Sequence, residues 1–306
     1  MTRRDLITFI TLAFMWSLSF IFYRIGVPEF GSLAFASLRV VFAGLTMLIF
    51  VVFSAHNRQG IREQWKILTL VGLFSAAIPF TLFAFSAQTI NAGVLAVINA
   101  SVPMMSGVIA SIFFKDKLSN KQIIGLIIGV VGVAILMSER LFGADSHELG
   151  ESAALSTKLL PLAYALLACV GYALGANITK NYLENISPIA ITAGSLMIAS
   201  IVMLPIAIYE FPYGRTISTT AWFSVICVGV FSTAIALIFM NQLIKNIGAV
   251  RATSITLVIP IFAILFGYLL LGEALDSGAI IGSVVILMGT YLSLNLSLNV
   301  SMKNLK

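Results

Sequence analysis

The sequence predicts an all-α integral membrane protein with ten transmembrane helices, arranged as two inverted five-helix repeats. Three observations lead there. Of 306 residues, 59% are hydrophobic and 10% charged, with a mean hydropathy of +1.05. A water-solvated domain is nearer half apolar and a quarter charged. Apolar stretches also recur from end to end: at roughly 20 residues per crossing, ten spans take about 200 residues and leave about 100 for connections. Finally, proline, glycine and acidic positions in the first half return in the second at a fixed offset of 157. Such a composition excludes disorder, and no connection is long enough to fold as a separate soluble domain.

The first span is Leu6–Tyr23. Its apolar run follows Thr2-Arg3-Arg4 and continues past Trp16 without a small-residue cleavage site, so it reads as a retained span and not a removed leader. Spans at Ser32–Phe53, Trp65–Phe85, Ala92–Phe114 and Ile123–Met137 follow, bounded by Gly, Pro, Asn and charge clusters. The loop Ser138–Lys158 is the longest and most polar. Beyond it come Leu160–Thr179, Pro188–Ile208, Ala221–Leu243, Ala252–Leu271 and Ala279–Leu296. Residues 1–138 therefore form the first five-helix unit, 139–158 an external polar loop, and 159–306 the second unit.

Charge sets the expected orientation. With the N-terminus inside, thirteen of the eighteen Lys and Arg residues fall on inner segments, among them Arg58, Arg62, Lys115, Lys117 and Lys245. Arg24, Arg140, Lys158 and Arg215 fall outside or at the outer edge, and Arg39 lies within a span. Eight of the twelve acids, including Glu29, Glu273 and Asp276, fall outside. This positive-inside bias puts both termini and the Ala55–Gln64 loop in the cytoplasm, and a bacterial inner membrane is the expected location. The net charge of +6 is thus a topology signal, not a nucleic-acid footprint. Cys169 and Cys227 lie inside apolar segments as small core residues. His56 and His147 stand alone in polar loops, so no metal site is expected.

At the offset of 157, Pro103 falls on Pro260, Asp116 on Glu273, Leu118 on Leu275, Ile123-Ile124-Gly125 on Ile280-Ile281-Gly282, and Gly132 on Gly289. At 156, Trp16 falls on Tyr172 and Arg24 on Lys180. Five spans per unit is odd, so the second copy enters the membrane from the opposite side, which places a functional site near the midplane between the halves. On Trp16-Ser17-Leu18-Ser19-Phe20, Leu38-Arg39, Pro103 with Lys115-Asp116-Lys117-Leu118, and Pro260 with Gly272-Glu273-Ala274-Leu275, the chain resembles the EamA family of the drug/metabolite transporter superfamily over nearly its whole length. The first copy has Lys115-Asp116 where that family commonly has Gly-Glu. The resemblance implies a secondary transporter, mostly an exporter of amino acids and other small metabolites.

Arg39 lies about seven residues into the second span, where an arginine costs roughly 2.5–3.5 kcal/mol at the bilayer centre. It either faces the transport path and attracts a carboxylate, or pairs with Glu29, or snorkels outward. Arg24, at a helix end, reads as structural. Asn99 and Thr256 each precede a proline by four residues. Pro103 and Pro260 offer no N–H to their carbonyls, so these are candidate cavity or gate positions. Trp16 shares a stripe with Thr8, Ser19 and Tyr23 on the first helix, and with Tyr172 it supplies candidate ring surfaces. The glycine pairs Gly125/Gly129, Gly171/Gly175 and Gly278/Gly282 read as close packing within one chain, and no oligomer is expected from them.

No acid lies deep in any span, which disfavours a lipophilic-cation pump. No Gly-rich phosphate loop supports ATP coupling, and no catalytic constellation supports an enzyme. The expected substrate-binding set is Trp16, Ser19, Arg39, Asn99, Tyr172 and Thr256, with Pro103 and Pro260 as gating kinks and no cofactor. The expected partners are a small polar or zwitterionic substrate and the lipid bilayer; a proton or an exchanged substrate is left open as the coupling partner. A passive channel on the same scaffold and a non-transporting membrane sensor are the rival readings.

Overall fold

The computed structural model describes residues 2–52, 54–115, 119–142, 155–247, 254–273 and 280–292, and among these there is no strand. Among the same residues, seven helices are long and apolar enough to cross a membrane. Shorter apolar helices occupy Asn120–Ile135, Ile255–Leu271 and Ile280–Leu292, where the fifth, ninth and tenth spans were expected.

Helix α1 (Arg3–Phe30) opens with a capping box, in which Thr2 accepts from the Asp5 N–H and Asp5 accepts from the Thr2 N–H. It runs a further turn or more beyond the expected end at Tyr23, because Ile25–Phe30 keep an apolar face; Gly31 then ends it at φ 79°. Helix α2 (Ser32–Val52) follows directly. Helix α3 (Ala55–Gly72) starts the expected third span early, its first part covering Ala55–Gln64, which the sequence suggested was a cytoplasmic loop. Ser54 caps it by accepting from Asn57 N at 3.3 Å, Gln59 donates to Glu63 at 2.8 Å, and a kink sits at Gln64. Polar residues marked this stretch as a loop; i,i+4 pairing and a cap make it an amphipathic helix instead.

A π-helical turn at Leu73–Ala77 joins α3 to α4 (Ile78–Ser86). The fourth span is broken into α5 (Ala92–Asn99) and α6 (Val102–Phe113). Helix α7 (Asn120–Phe142) and α8 (Leu155–Tyr182) extend into the expected polar loop from both sides. Then come α9 (Pro188–Tyr209), α10 (Thr219–Gly229), a second π-helical turn at Val230–Ile235 and α11 (Ala236–Ile247). A 3₁₀ turn at Ser254–Leu257, α12 (Ile259–Leu271) and α13 (Ile280–Leu292) complete the described elements.

Local irregularities repeat at the offset found in the sequence. The π turns begin at Leu73 and Val230, 157 apart, and the breaks before Pro103 and Pro260 fall in the same register. The packing is reciprocal as well. Helix α4 lies on α8 as its repeat mate α11 lies on α1, and α6 lies on α8 as α12 lies on α1, while α2 packs along α9. Where α7 crosses α13, a Cβ on Gly132 would come within 2.7 Å of Ile286 N, and one on Gly289 within 2.6 Å of Gly125 O. Each of these repeat mates needs glycine because it abuts the partner helix's backbone. Gly171 and Gly175 serve the same purpose on α8: a Cβ on Gly171 would meet Pro79 at 2.9 Å, and one on Gly175 would collide with Ser75 in the first π turn. Gly171 and Gly175 thus pack within the chain, as expected of that pair, whereas Gly278 lies outside the described residues.

Candidate functional site

The deepest charge among the described residues is Arg39, about a third of the way along α2 and 4% exposed. Gly229, at the end of α10, lets the second π turn press against it, since a Cβ there would lie 2.8 Å from the Arg39 carbonyl oxygen. That brings Thr233 within reach. Arg39 Nε donates to Thr233 Oγ1 at 2.9 Å, and Nη1 donates to the Tyr23 hydroxyl of α1 at 2.7 Å. Both hydroxyls direct their own proton to carbonyls, Tyr23 to Phe80 O at 3.0 Å and Thr233 to Val228 O at 2.7 Å. They therefore turn lone pairs, not protons, toward the guanidinium. Its flat face lies over Phe80, 3.6 Å from the ring centroid, with the Tyr23 ring at 5.2 Å.

None of these partners carries a negative charge. Among the described carboxylates, Asp5 accepts from Thr2 and Asn246, Glu29 from Ser218, Glu63 from Gln59, and Glu273 pairs with Arg24. The expected alternative of an Arg39–Glu29 pair is therefore corrected: Glu29 accepts from Ser218 N and Oγ, each at 2.6 Å, and so holds the residue that caps α10. The reason is geometric, since α1 continues past Tyr23 and carries Glu29 away toward the α10 terminus. Arg39 does not snorkel out either; it is enclosed by α1, α2, α4 and the second π turn. Two of its five N–H groups are used, and the other three find no hydrogen bond among the described residues. Ser19, one turn before Tyr23, and Ser232, beside Thr233, are buried with hydroxyls that also lack a partner there.

Of the residues singled out from sequence, Arg39 and Tyr172 are linked through Phe80. The Tyr172 ring lies 6.1 Å from Phe80 and 6.0 Å from Phe83, the latter stacked. Trp16 is half-buried on α1, packed against the same apolar core. Asn99 is half-buried at the end of α5, and Thr256 is half-buried in the 3₁₀ turn. The break before Pro103 exposes the Ile98 carbonyl, which accepts from Ser101 Oγ at 2.6 Å and from Cys169 Sγ of α8 at 3.4 Å. Asn177 bonds Ser106 and the Ala173 carbonyl, fastening α8 to α6. Sequence reading did not single out Phe80 or Thr233. The available signal for Thr233 was a pair of hydroxyls, Ser232-Thr233, inside an otherwise apolar span.

The described residues thus form a multi-pass membrane bundle with a repeated architecture, which holds an enclosed cation with spare donors against aromatic walls. The EamA-like transporter family model matches residues 4–138 and again 159–295, and the chain belongs to that family, which comprises transporters and not enzymes. It is 23% identical over 294 residues to a protein of Archaeoglobus fulgidus named only as an uncharacterized transporter, covering 95% of this chain and 98% of that one. It is 27% identical over 292 residues to the uncharacterized inner membrane transporter YedA of Escherichia coli K12, covering 92% and 90%. A protein of known crystal structure shares the fold with a TM-score of 0.63 at 13% identity, over 98% of this chain and 99% of that one.

Proposed function

We propose that the protein is a secondary transporter that exports small polar or zwitterionic metabolites, such as amino acids, by alternating access between two inverted five-helix repeats. The observation that carries this reading is Arg39, enclosed between the repeats with no carboxylate partner among the described residues. A planar guanidinium with free N–H groups is matched to a substrate carboxylate, and enclosure strengthens the pair. The Phe80, Phe83 and Tyr172 rings supply an apolar wall. Trp16, Ser19, Asn99 and Thr256 complete the substrate path, and the breaks at Pro103 and Pro260 serve as gates. Reciprocal packing and the matched π turns support the repeat relation, with units at 1–138 and 159–306 joined by the external loop 139–158.

In this reading the protein sits in a bacterial inner membrane with both termini cytoplasmic. Cysteines placed at Gln59 and Ser146 test the orientation: an impermeant thiol reagent applied to intact cells should label the second and not the first. The substrate reading is tested by thermal unfolding of the purified protein against a panel of amino acids. A specific ligand stabilises the folded state by mass action. The stabilising amino acid should lose its effect on Arg39→Gln. An amino acid that shifts wild type and variant equally would show that Arg39 does not bind it.

A further inference from the structure

The Arg39–Thr233 hydrogen bond joins the second helix of the first repeat to the π turn of the second repeat. Other polar contacts between the repeats, such as Glu29–Ser218 and Arg24–Glu273, sit at helix ends and are partly exposed, so water can take over a broken partner. Thr233 is 1% exposed and Arg39 4%, so no such replacement reaches this one. Pulling the repeats apart here strands a guanidinium donor in an enclosed site. Arginine cannot shed its proton to relieve that state. A carboxylate can relieve it: it accepts a charge-assisted bond that is stronger than the bond to a neutral hydroxyl, and it brings the missing negative charge.

We propose that the Arg39–Thr233 bond is a tie between the repeats that an incoming carboxylate releases, so that the protein reorients with substrate bound and works as a carboxylate exchanger. This rests on the transport reading above and adds its coupling mode. The empty protein stays tied, and net flux requires a carboxylate solute for the return step. Thr233 is then a positioning residue: it holds Arg39 while the site is empty and yields it when substrate arrives.

Two measurements test this. In the first, nitroxide labels on cysteines at Gln88 and Tyr213, exposed positions in opposite repeats, are placed in a background with Cys169 and Cys227 replaced by Ala. Label distances are recorded in nanodiscs with no solute added. Wild type should give one distance population. Thr233→Val, which removes the acceptor while keeping the shape, should add a second, and identical distributions overturn the tie. In the second, liposomes preloaded with radiolabelled L-leucine, L-phenylalanine, L-serine or lactate are diluted into plain buffer or into buffer with the same unlabelled solute. The unlabelled solute should speed wild-type efflux roughly tenfold or more, a ratio equivalent to about 1.4 kcal/mol. Thr233→Val should bring that ratio close to one, and Thr233→Ser, which keeps the hydroxyl, should retain it. A wild-type ratio near one, or an unchanged ratio in Thr233→Val, overturns exchange. No movement of any solute in wild-type vesicles overturns the metabolite-transport reading alone, because the label distances report the tie with no solute present.

Discussion

Arg24 and Arg39 lie fifteen residues apart on consecutive helices and have opposite surroundings. Arg24 reaches Glu273 at 2.6 Å and the Ala87 carbonyl at 2.8 Å. The other Glu273 oxygen accepts from Ala92 N at 2.8 Å, at the first turn of α5, so one carboxylate holds α1, α5 and the end of α12 together. Gly272 at φ 65° turns the chain so that Glu273 points back, and Gly267 leaves room for its carboxylate. The charge there is balanced and the arrangement is a structural joint. Arg39 is deeper, holds only hydroxyls and ring faces, and keeps its charge uncompensated among the described residues. An enclosed unpaired charge costs several kcal/mol after relaxation, so its retention points to a task other than stability.

The contrast is sharpest at Arg39→Gln. Transport should fall by roughly 30-fold or more, in line with about 2–5 kcal/mol for truncating one partner of an enclosed charge pair. The folded yield should hold, because Tyr23 and Thr233 keep their bonds to the Phe80 and Val228 carbonyls. Uptake into liposomes, scaled to folded protein, is the measurement. Arg39→Lys should fall between the two, since the charge is kept and the planar fork is lost.

Glu273→Gln should do the reverse, lowering stability and leaving substrate affinity alone. Breaking a fully buried pair costs about 3–5 kcal/mol; because the Arg24 side chain is 26% exposed, the expected loss is nearer about 1–3 kcal/mol. Thermal unfolding with and without the stabilising amino acid separates the two effects. If Glu273→Gln weakened binding as much as Arg39→Gln, the two arginines would not differ in role.

The helix crossing of α7 and α13 offers a smaller test, on the repeat relation itself. Gly132→Ala and Gly289→Ala each drive a methyl into partner backbone, and each should lower stability by about 1–3 kcal/mol. Equal losses in the two variants are expected from reciprocal packing; a loss in one alone would mean that the crossing is lopsided. Pro103→Ala and Pro260→Ala should leave the folded yield intact and reduce transport a few-fold, because a restored N–H straightens the break. Asn99→Ala should weaken binding the least, yet more than Leu95→Ala one turn away, when affinities are compared by ligand-induced thermal shift.

Hydropathy alone determined that the chain is a stack of membrane-crossing helices, because each span must satisfy its own backbone and so writes a local apolar run into the sequence. The repeat was equally legible: Gly132 and Gly289 are positions where a side chain would meet partner backbone, Pro103 and Pro260 mark the same break in both halves, and each pair stands 157 apart. Arg39 stood out for the same reason, as a costly residue in an apolar run. Its partners did not. Glu29 is the nearest acid to Arg39 along the chain, but the length of α1 takes it to Ser218, and Glu273 is held by Arg24. Phe80 and Thr233 came to Arg39 from 41 and 194 residues away, through two π turns whose extra backbone residue leaves no mark in composition. Which charge is neutralised and which is left waiting depends on how helices are turned about their axes. That rotation is set by packing between distant segments, where a single glycine such as Gly229 or Gly175 decides how near two backbones may come.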